Sequence, residues 1–368
     1  MFISPWRLIP FIVIGMTIYI CYRLWKGIGK KTALTWALII ASIVFWWIFI
    51  RRPFGIGLSP VFTSIGYMFF VFTSAMFILF LIADVIKFAI WCFHRIKIKA
   101  RHDVLSVLVL AAVLLCYGYY EGVNIRTVEI TVFTDKLPTD ADLVRIVQIS
   151  DLHIGRNFDP NQLTKAMELT REAEPDIIVL TGDMIDMDMR EDTYYYRILG
   201  SVEAPLGKFA VTGNHEYFAG YSQSVDFMRR AGYEVLSSDW RDIGPIVVAG
   251  IDNPGRAMVS KNNDGFDLLS SLPDDLRNKF VLFLKHMPYV HEDCVGLFDL
   301  QLSGHTHGGQ IWPMRYLVNY MHGTKHGLSV YNDSLLYISN GTGLWGPPVR
   351  FLTPPEVTII NVVRRQQS

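Results

Sequence analysis

Long apolar runs broken by short basic clusters fill the first third of the chain, and no ordinary soluble globule can be built from them. A bilayer core of about 30 Å takes roughly 20 apolar helical residues. Four stretches approach that length, at 8–25, 33–50, 61–90 and 104–120. They predict a four-helix transmembrane module over 1–122 and a second domain over 123–368. Charged residues make up 18% of the chain, against about a quarter in an average soluble domain. The deficit is concentrated before Tyr120. The formal net charge is zero, which disfavours a nucleic-acid partner held by overall positive charge. Of four cysteines, only Cys294 falls well inside the second domain, so no disulfide framework is possible there.

Short loops rich in Lys and Arg face the cytoplasm. Lys26, Lys30 and Lys31 follow the first stretch, and Arg95, Lys97, Lys99 and Arg101 follow the third. Arg7, Arg51 and Arg52 fall on the other side. With four spans, this asymmetry predicts a multi-pass protein of the cell membrane with an extracytoplasmic C-terminal domain. An odd number of spans would return that domain to the cytosol. Asp84 and Lys87, one turn apart, predict a local ion pair with a snorkelling lysine.

After Val123 the pattern changes. Strands are expected at 124–134, 144–150, 176–181, 208–212, 246–251, 280–284, 300–303, 335–339 and 357–363, with helices at 162–173 and 222–231. Strands alternating with helices imply an α/β core. The chemistry lies just past the strand ends. VRIVQIS is followed by Asp151-Leu152-His153, DIIVLT by Gly182-Asp183, and KFAVT by Gly213-Asn214-His215-Glu216. FVLFLK is followed by His286, and the strand ending at Ser303 by Gly304-His305-Thr306-His307. Ligands of open α/β sheets bind at the carboxyl ends of strands. Asp151, His153, Asp183, Asn214, His286, His305 and His307 are seven O or N donors. That is too many for one tetrahedral zinc, and it suits two divalent ions such as Mn, Zn or Fe. Two such cations can bring the pKa of a water to about 7 and neutralise phosphoryl oxygens.

In this order, D-x-H, G-D, G-N-H-E, H and G-H-T-H resemble the motifs of the calcineurin-like metallophosphoesterase superfamily. SDLHIG, GDMID, TGNHE, KHMP and GHTHGGQ, with the tail GTGLWGPPVRFLTPPEVTII, are similar to its membrane-linked or secreted bacterial subfamily. The resemblance covers about 123–363. It implies two facing mixed sheets flanked by helices. It also implies one metal on Asp151, His153, Asp183 and His307, and another on Asp183, Asn214, His286 and His305, with Asp183 bridging. His215 would act on the phosphoryl group and its leaving oxygen. Iron-dependent acid phosphatases of the superfamily carry Tyr where this chain has Asp186, so the likeness does not extend to a tyrosinate-bound ferric ion.

The expected substrate is a phosphodiester or pyrophosphate on a lipid or cell-envelope molecule, with the bilayer as partner. Two alternatives stand beside it. One is a pyrophosphatase of UDP-activated lipid A precursors, as in related family members, if the domain faces the cytosol. The other is a channel or sensor with a regulatory phosphoesterase domain. Arg350 is a candidate phosphate partner, or else an ion pair holding the C-terminal segment. Glu216 either orients His215 or is a solvated turn charge. His322 and His326 fall in a loop that could line the pocket. Trp312, Leu317 and Trp345 lie in apolar stretches that read either as core packing or as a membrane-facing lip around the metals.

Overall fold

The structure is a computed structural model that describes residues 9–29, 60–94, 99–155, 158–186, 193–253 and 265–365, with some between 32 and 42. The chain divides into two compact units, Met1–Tyr120 with Gly346–Pro348, and Glu121–Trp345 with Val349–Ser368.

In the first unit, Val61–Phe93 and Ala100–Val123 are long and apolar enough to cross a membrane. Four spans were expected, and among the described residues two meet that test. The first expected span forms the helix Ile9–Ile28, but its last third carries Arg23 and Lys26. Most of the second falls at 43–50 and beside other residues outside the described ones. The expected Asp84–Lys87 pair is present at 3.0 Å, yet it is not local. Arg23 pairs with Asp84 at 2.5 Å and also with Asp103, and Lys87 reaches Asp103 at 2.7 Å. Two cations and two anions from three helices thus close on one another. Long apolar helices bring such groups together because an unpaired charge among apolar side chains is costly.

The second unit holds twelve strands among the described residues, in two six-stranded sheets. β1 (Arg126–Thr134), β2 (Leu143–Ile149), β3 (Ile177–Thr181), β4 (Gly207–Val211), β5 (Glu234–Val235) and β12 (Glu356–Arg364) form the first, in the order β1-β12-β2-β3-β4-β5. β6 (Asp239–Asp242), β7 (Ile246–Gly250), β8 (Phe280–Leu284), β9 (Leu300–Ser303), β10 (Gly327–Tyr331) and β11 (Ser334–Ile338) form the second, in the order β10-β11-β9-β8-β7-β6. The sheets are mixed. β2 to β5 run parallel, as do β7, β8, β9 and β11, while β12 is antiparallel to β2.

Strand side chains alternate between faces. Ile146, Ile177, Val179 and Val211 of the first sheet share a core with Val248, Phe280, Leu282 and Leu302 of the second. The intervening Ile149, Ile178 and Leu180 pack instead with Leu163, Met167, Phe227 and Met228 of the helices Pro160–Glu172 and Tyr221–Arg230. This double burial explains why the strands read as continuous apolar runs. Gln148 interrupts the inter-sheet core. Its amide donates to Thr181 Oγ1 at 2.8 Å and to the Ser303 carbonyl at 3.0 Å, which ties the two sheets beneath their carboxyl ends.

Candidate metal centre

Five loops leave the carboxyl ends of β2, β3, β4, β8 and β9 at the same edge of the double sheet. Backbone bonds lace them together: Asp151 N donates to Gly182 O at 3.0 Å, His153 N to Asp183 O at 3.0 Å, and Gly304 N to His286 O at 3.1 Å. Asp151, His153, Asp183, His305 and His307 all sit at positive φ, between 49° and 70°. Non-glycine residues rarely adopt that backbone, and it concentrates at functional sites. Two glycines are needed for close approach. A Cβ on Gly213 would collide with the Asp183 carboxylate, and one on Gly304 with that of Asp151.

The donors converge in two sets. Asp151, His153 and His307 offer ligand atoms all within 4.8 Å of one another, and so do Asp183, His286 and His305. His153 Nε2 lies 3.0 Å from His307 Nε2, and His305 Nδ1 lies 3.2 Å from His286 Nε2. Asp183 lies between the sets, with Oδ2 3.2 Å from His286 Nε2 and 4.0 Å from His153 Nε2. His286 donates from Nδ1 to the Thr181 carbonyl at 2.8 Å, which turns Nε2 towards the centre. Asn214 Oδ1 is buried without a hydrogen-bond partner. An orphaned buried oxygen costs about 1–3 kcal/mol, and a cation would satisfy it. The donor set therefore fits divalent ions, with no thiolate in it.

Charge coupling follows from this crowding. Burial opposes ionisation of Asp183, but His286 outweighs it and holds the carboxyl well below the usual carboxylate range. Burial likewise opposes charge on His286, yet Asp183 and Asp151 push its pKa up to about 10. His305, buried and facing His286, falls to about 3.

Two carboxylates carry more than the sequence revealed. Glu216 is fully buried and is neither a partner of the His215 ring nor a solvated turn charge. Its oxygens accept from Asp183 N at 2.9 Å, Met184 N at 2.7 Å, Ile185 N at 3.2 Å and Gly213 N at 2.6 Å. It clamps the Asp183 loop to the Asn214 loop. Asp186 was singled out only for not being Tyr. Its Oδ1 lies 2.6 Å from His215 Nδ1 and 3.8 Å from His153 Nδ1. Burial opposes charge on both Asp186 and His215, but His153 and His215 together lower the carboxyl pKa, and Asp186 with Asp183 raises that of the His215 imidazole. The only sequence signal for this pair was its place three residues after Asp183, in the same loop.

Arg350 is not placed to bind phosphate. It is completely buried behind His307. Its guanidinium donates to the carbonyls of His307 (3.1 Å), Asn340 (2.7 Å), Thr353 (3.2 Å) and Gly343 (2.5 Å). Five apolar or aromatic side chains of the expected lip, Trp312, Tyr316, Leu317, Tyr320 and Met321, are exposed, and the helix Met314–His322 buries none of its residues. Core packing is thus excluded for this stretch. His322, at the end of that helix, lies edge-to-face against His305 at 5.3 Å.

A sequence model described as calcineurin-like phosphoesterase matches residues 144–309. An uncharacterised metallophosphoesterase of Aquifex aeolicus is 34% identical over 260 residues, covering 69% of this chain and 97% of that protein. One from Campylobacter jejuni is 30% identical over 316 residues, 83% of each chain. A zebrafish (Danio rerio) transmembrane protein with metallophosphoesterase domain is 28% identical over 284 residues, 72% of this chain and 63% of that one.

Proposed function

The chain belongs to the calcineurin-like metallophosphoesterases and is a metal-dependent phosphoesterase, and from that premise we propose a membrane-anchored enzyme with two metals. In this reading it hydrolyses a phosphodiester or pyrophosphate bond on a lipid or cell-envelope substrate. The observation that carries the two-metal reading is the buried, partnerless Asn214 Oδ1 beside two converging donor sets, with Asp183 of one set 4.0 Å from His153 of the other. Asp151, His153, Asp183 and His307 would hold one ion, and Asp183, Asn214, His286 and His305 the other. Divalent ions supply Lewis acidity and neutralise phosphoryl charge.

The chain's own groups do the rest. Glu216 holds the Asp183 and Asn214 loops at fixed separation. Asp186 accepts from His215 Nδ1–H and supports the charged ring, whose Nε2–H would then serve the leaving oxygen, a contribution of about 10²–10⁴-fold. Anchoring is supported by two helices of sufficient length and apolarity and by relatives named as transmembrane proteins. The basic loops favour an extracytoplasmic domain, which a reporter fused after Ser368 tests. Activity of that reporter only in the cytoplasm would overturn the orientation.

The decisive experiment uses the purified full chain, metal by metal, with phosphodiesters, phosphomonoesters, pyrophosphates and extracted lipids. Diester turnover with two metals per chain is expected. A fully active protein holding one metal would sink the two-ion reading.

A further inference from the structure

The proposed role of His215 in leaving-group departure fixes where the departing half of the substrate must lie, and the surroundings of that ring are aromatic. Phe218 packs edge-to-face on His215, with ring centroids 5.4 Å apart and planes at 73°. Trp345 does so at 6.4 Å and 83°. Both rings remain partly exposed, Trp345 by half. Trp345 is also fastened. The Gln310 side chain donates to the Trp345 carbonyl at 3.0 Å and accepts from its N–H at 3.2 Å. Both bonds are to the Trp345 backbone, and Gln310 is three residues after His307, so the main chain from which the indole projects is held by the His307 loop.

The charges nearby point the same way. The Asp186 carboxylate lies 2.6 Å from His215 Nδ1. A leaving phosphate would bring a second anion towards it, whereas an alcohol would not. Arg350, the cation the sequence offered for a phosphate, is buried behind His307.

From this we infer that Trp345 and Phe218 form the leaving-group subsite, and that the group they accept is an apolar alcohol of a phosphodiester. This rests on the phosphodiesterase reading and on His215 as the leaving-side residue. The step balances as a hydrolysis. Water oxygen bonds to phosphorus, the ester P–O bond breaks, and the departing alkoxide takes a proton from His215 Nε2. A proton from the water restores the imidazolium, and the products are a phosphomonoester and the free alcohol. The rings then select by burying alkyl surface, since pockets of this kind discriminate apolar groups by about tenfold or more.

The test compares kcat/KM for dimethyl phosphate, dihexyl phosphate, thymidylyl-thymidine and dihexyl pyrophosphate, using metal-loaded full-length protein. Dihexyl phosphate should lead dimethyl phosphate by about tenfold or more and should also lead the other two. Trp345→Ala and Phe218→Ala should each narrow the hexyl-to-methyl ratio severalfold with metal content retained, and Trp345→Phe should recover part of it. If Trp345→Ala fails to fold, Phe218→Ala carries the test. A wild-type preference for the dinucleotide, the pyrophosphate or the methyl ester overturns the inference. So does a hexyl preference that survives in every folded variant. Turnover of none of the diesters, with pyrophosphates or monoesters cleaved, would instead overturn the phosphodiesterase reading beneath it.

Discussion

Each unit of this chain gathers a knot of ionisable side chains, and the two knots are built on opposite plans. Among the apolar helices, Arg23 and Lys87 face Asp84 and Asp103, and every charge has an opposite partner. In the double-sheet unit, carboxylates and imidazoles crowd one edge, like nitrogens face like nitrogens, and Asn214 Oδ1 has no partner. The first network is complete as it stands. The second is complete only with cations added. A closed network holds helices together, and an open one is a binding site.

The sharpest break in that contrast is at Asp183, which lies between the two donor sets and in the proposed centre would bridge them. Asp183→Asn should lower phosphodiester turnover by about 10³-fold or more, since metal charge stabilisation is worth several kcal/mol. Metal content should fall with it. Asp239→Asn, on the surface strand β6, should leave both unchanged. If Asp183→Asn keeps its metals and most of its activity, the open network is not a shared two-ion centre.

The closed network should answer differently. Arg23→Met removes one cation and leaves Asp84 and Asp103 to share Lys87, so the network carries a net negative charge and the protein should unfold at a lower temperature. Adding Asp103→Asn restores neutrality, because Asp84 and Lys87 still pair. The double variant should therefore unfold at a higher temperature than Arg23→Met alone, read from helical circular dichroism in detergent. Additive losses would mean that the charges are not one network.

What the sequence made legible depended on how local each feature was. The strands carrying the ligands are buried on both faces, so their apolar runs stand out, and Phe280–Leu284 and Leu300–Ser303 begin and end where expected. The ligands lie within a few residues of those ends. Short edge strands such as β5, two residues long, carry no pattern to read. Glu216 was ambiguous because its burial depends on backbone N–H groups from a loop about thirty residues away in sequence. Arg350 stayed open between two readings for a related reason. A phosphate-binding arginine and one that gathers carbonyls look alike until their neighbours are known. The charge knot among the helices was half visible, because Asp84 and Lys87 are one turn apart while Arg23 and Asp103 arrive from other helices.

The smallest of these effects is also the most specific to the open network, and it falls on Asp186. This carboxylate belongs to neither main donor set, but it fixes the tautomer of His215 through the 2.6 Å contact at Nδ1. Asp186→Asn keeps the shape and removes the charge. Its amide can still contact Nδ1, but as a donor it would place the imidazole proton on Nε2 only in the neutral ring, without support for the imidazolium. Outer partners of this kind are worth about 10–100-fold. Turnover of an alkyl diester should drop by that amount, while both metals stay bound. A diester with a p-nitrophenolate leaving group, which departs with little need of a proton, should lose much less. That split separates a positioning carboxylate from a structural one, which would harm both substrates alike. It also separates it from a metal ligand, whose loss would show first in metal content. His153, Asp186 and His215 also offer ligand atoms within 4.8 Å of one another, so if Asp186→Asn releases metal as readily as His305→Ala does, that cluster is itself part of the ion site and the open network is larger than two sets of donors.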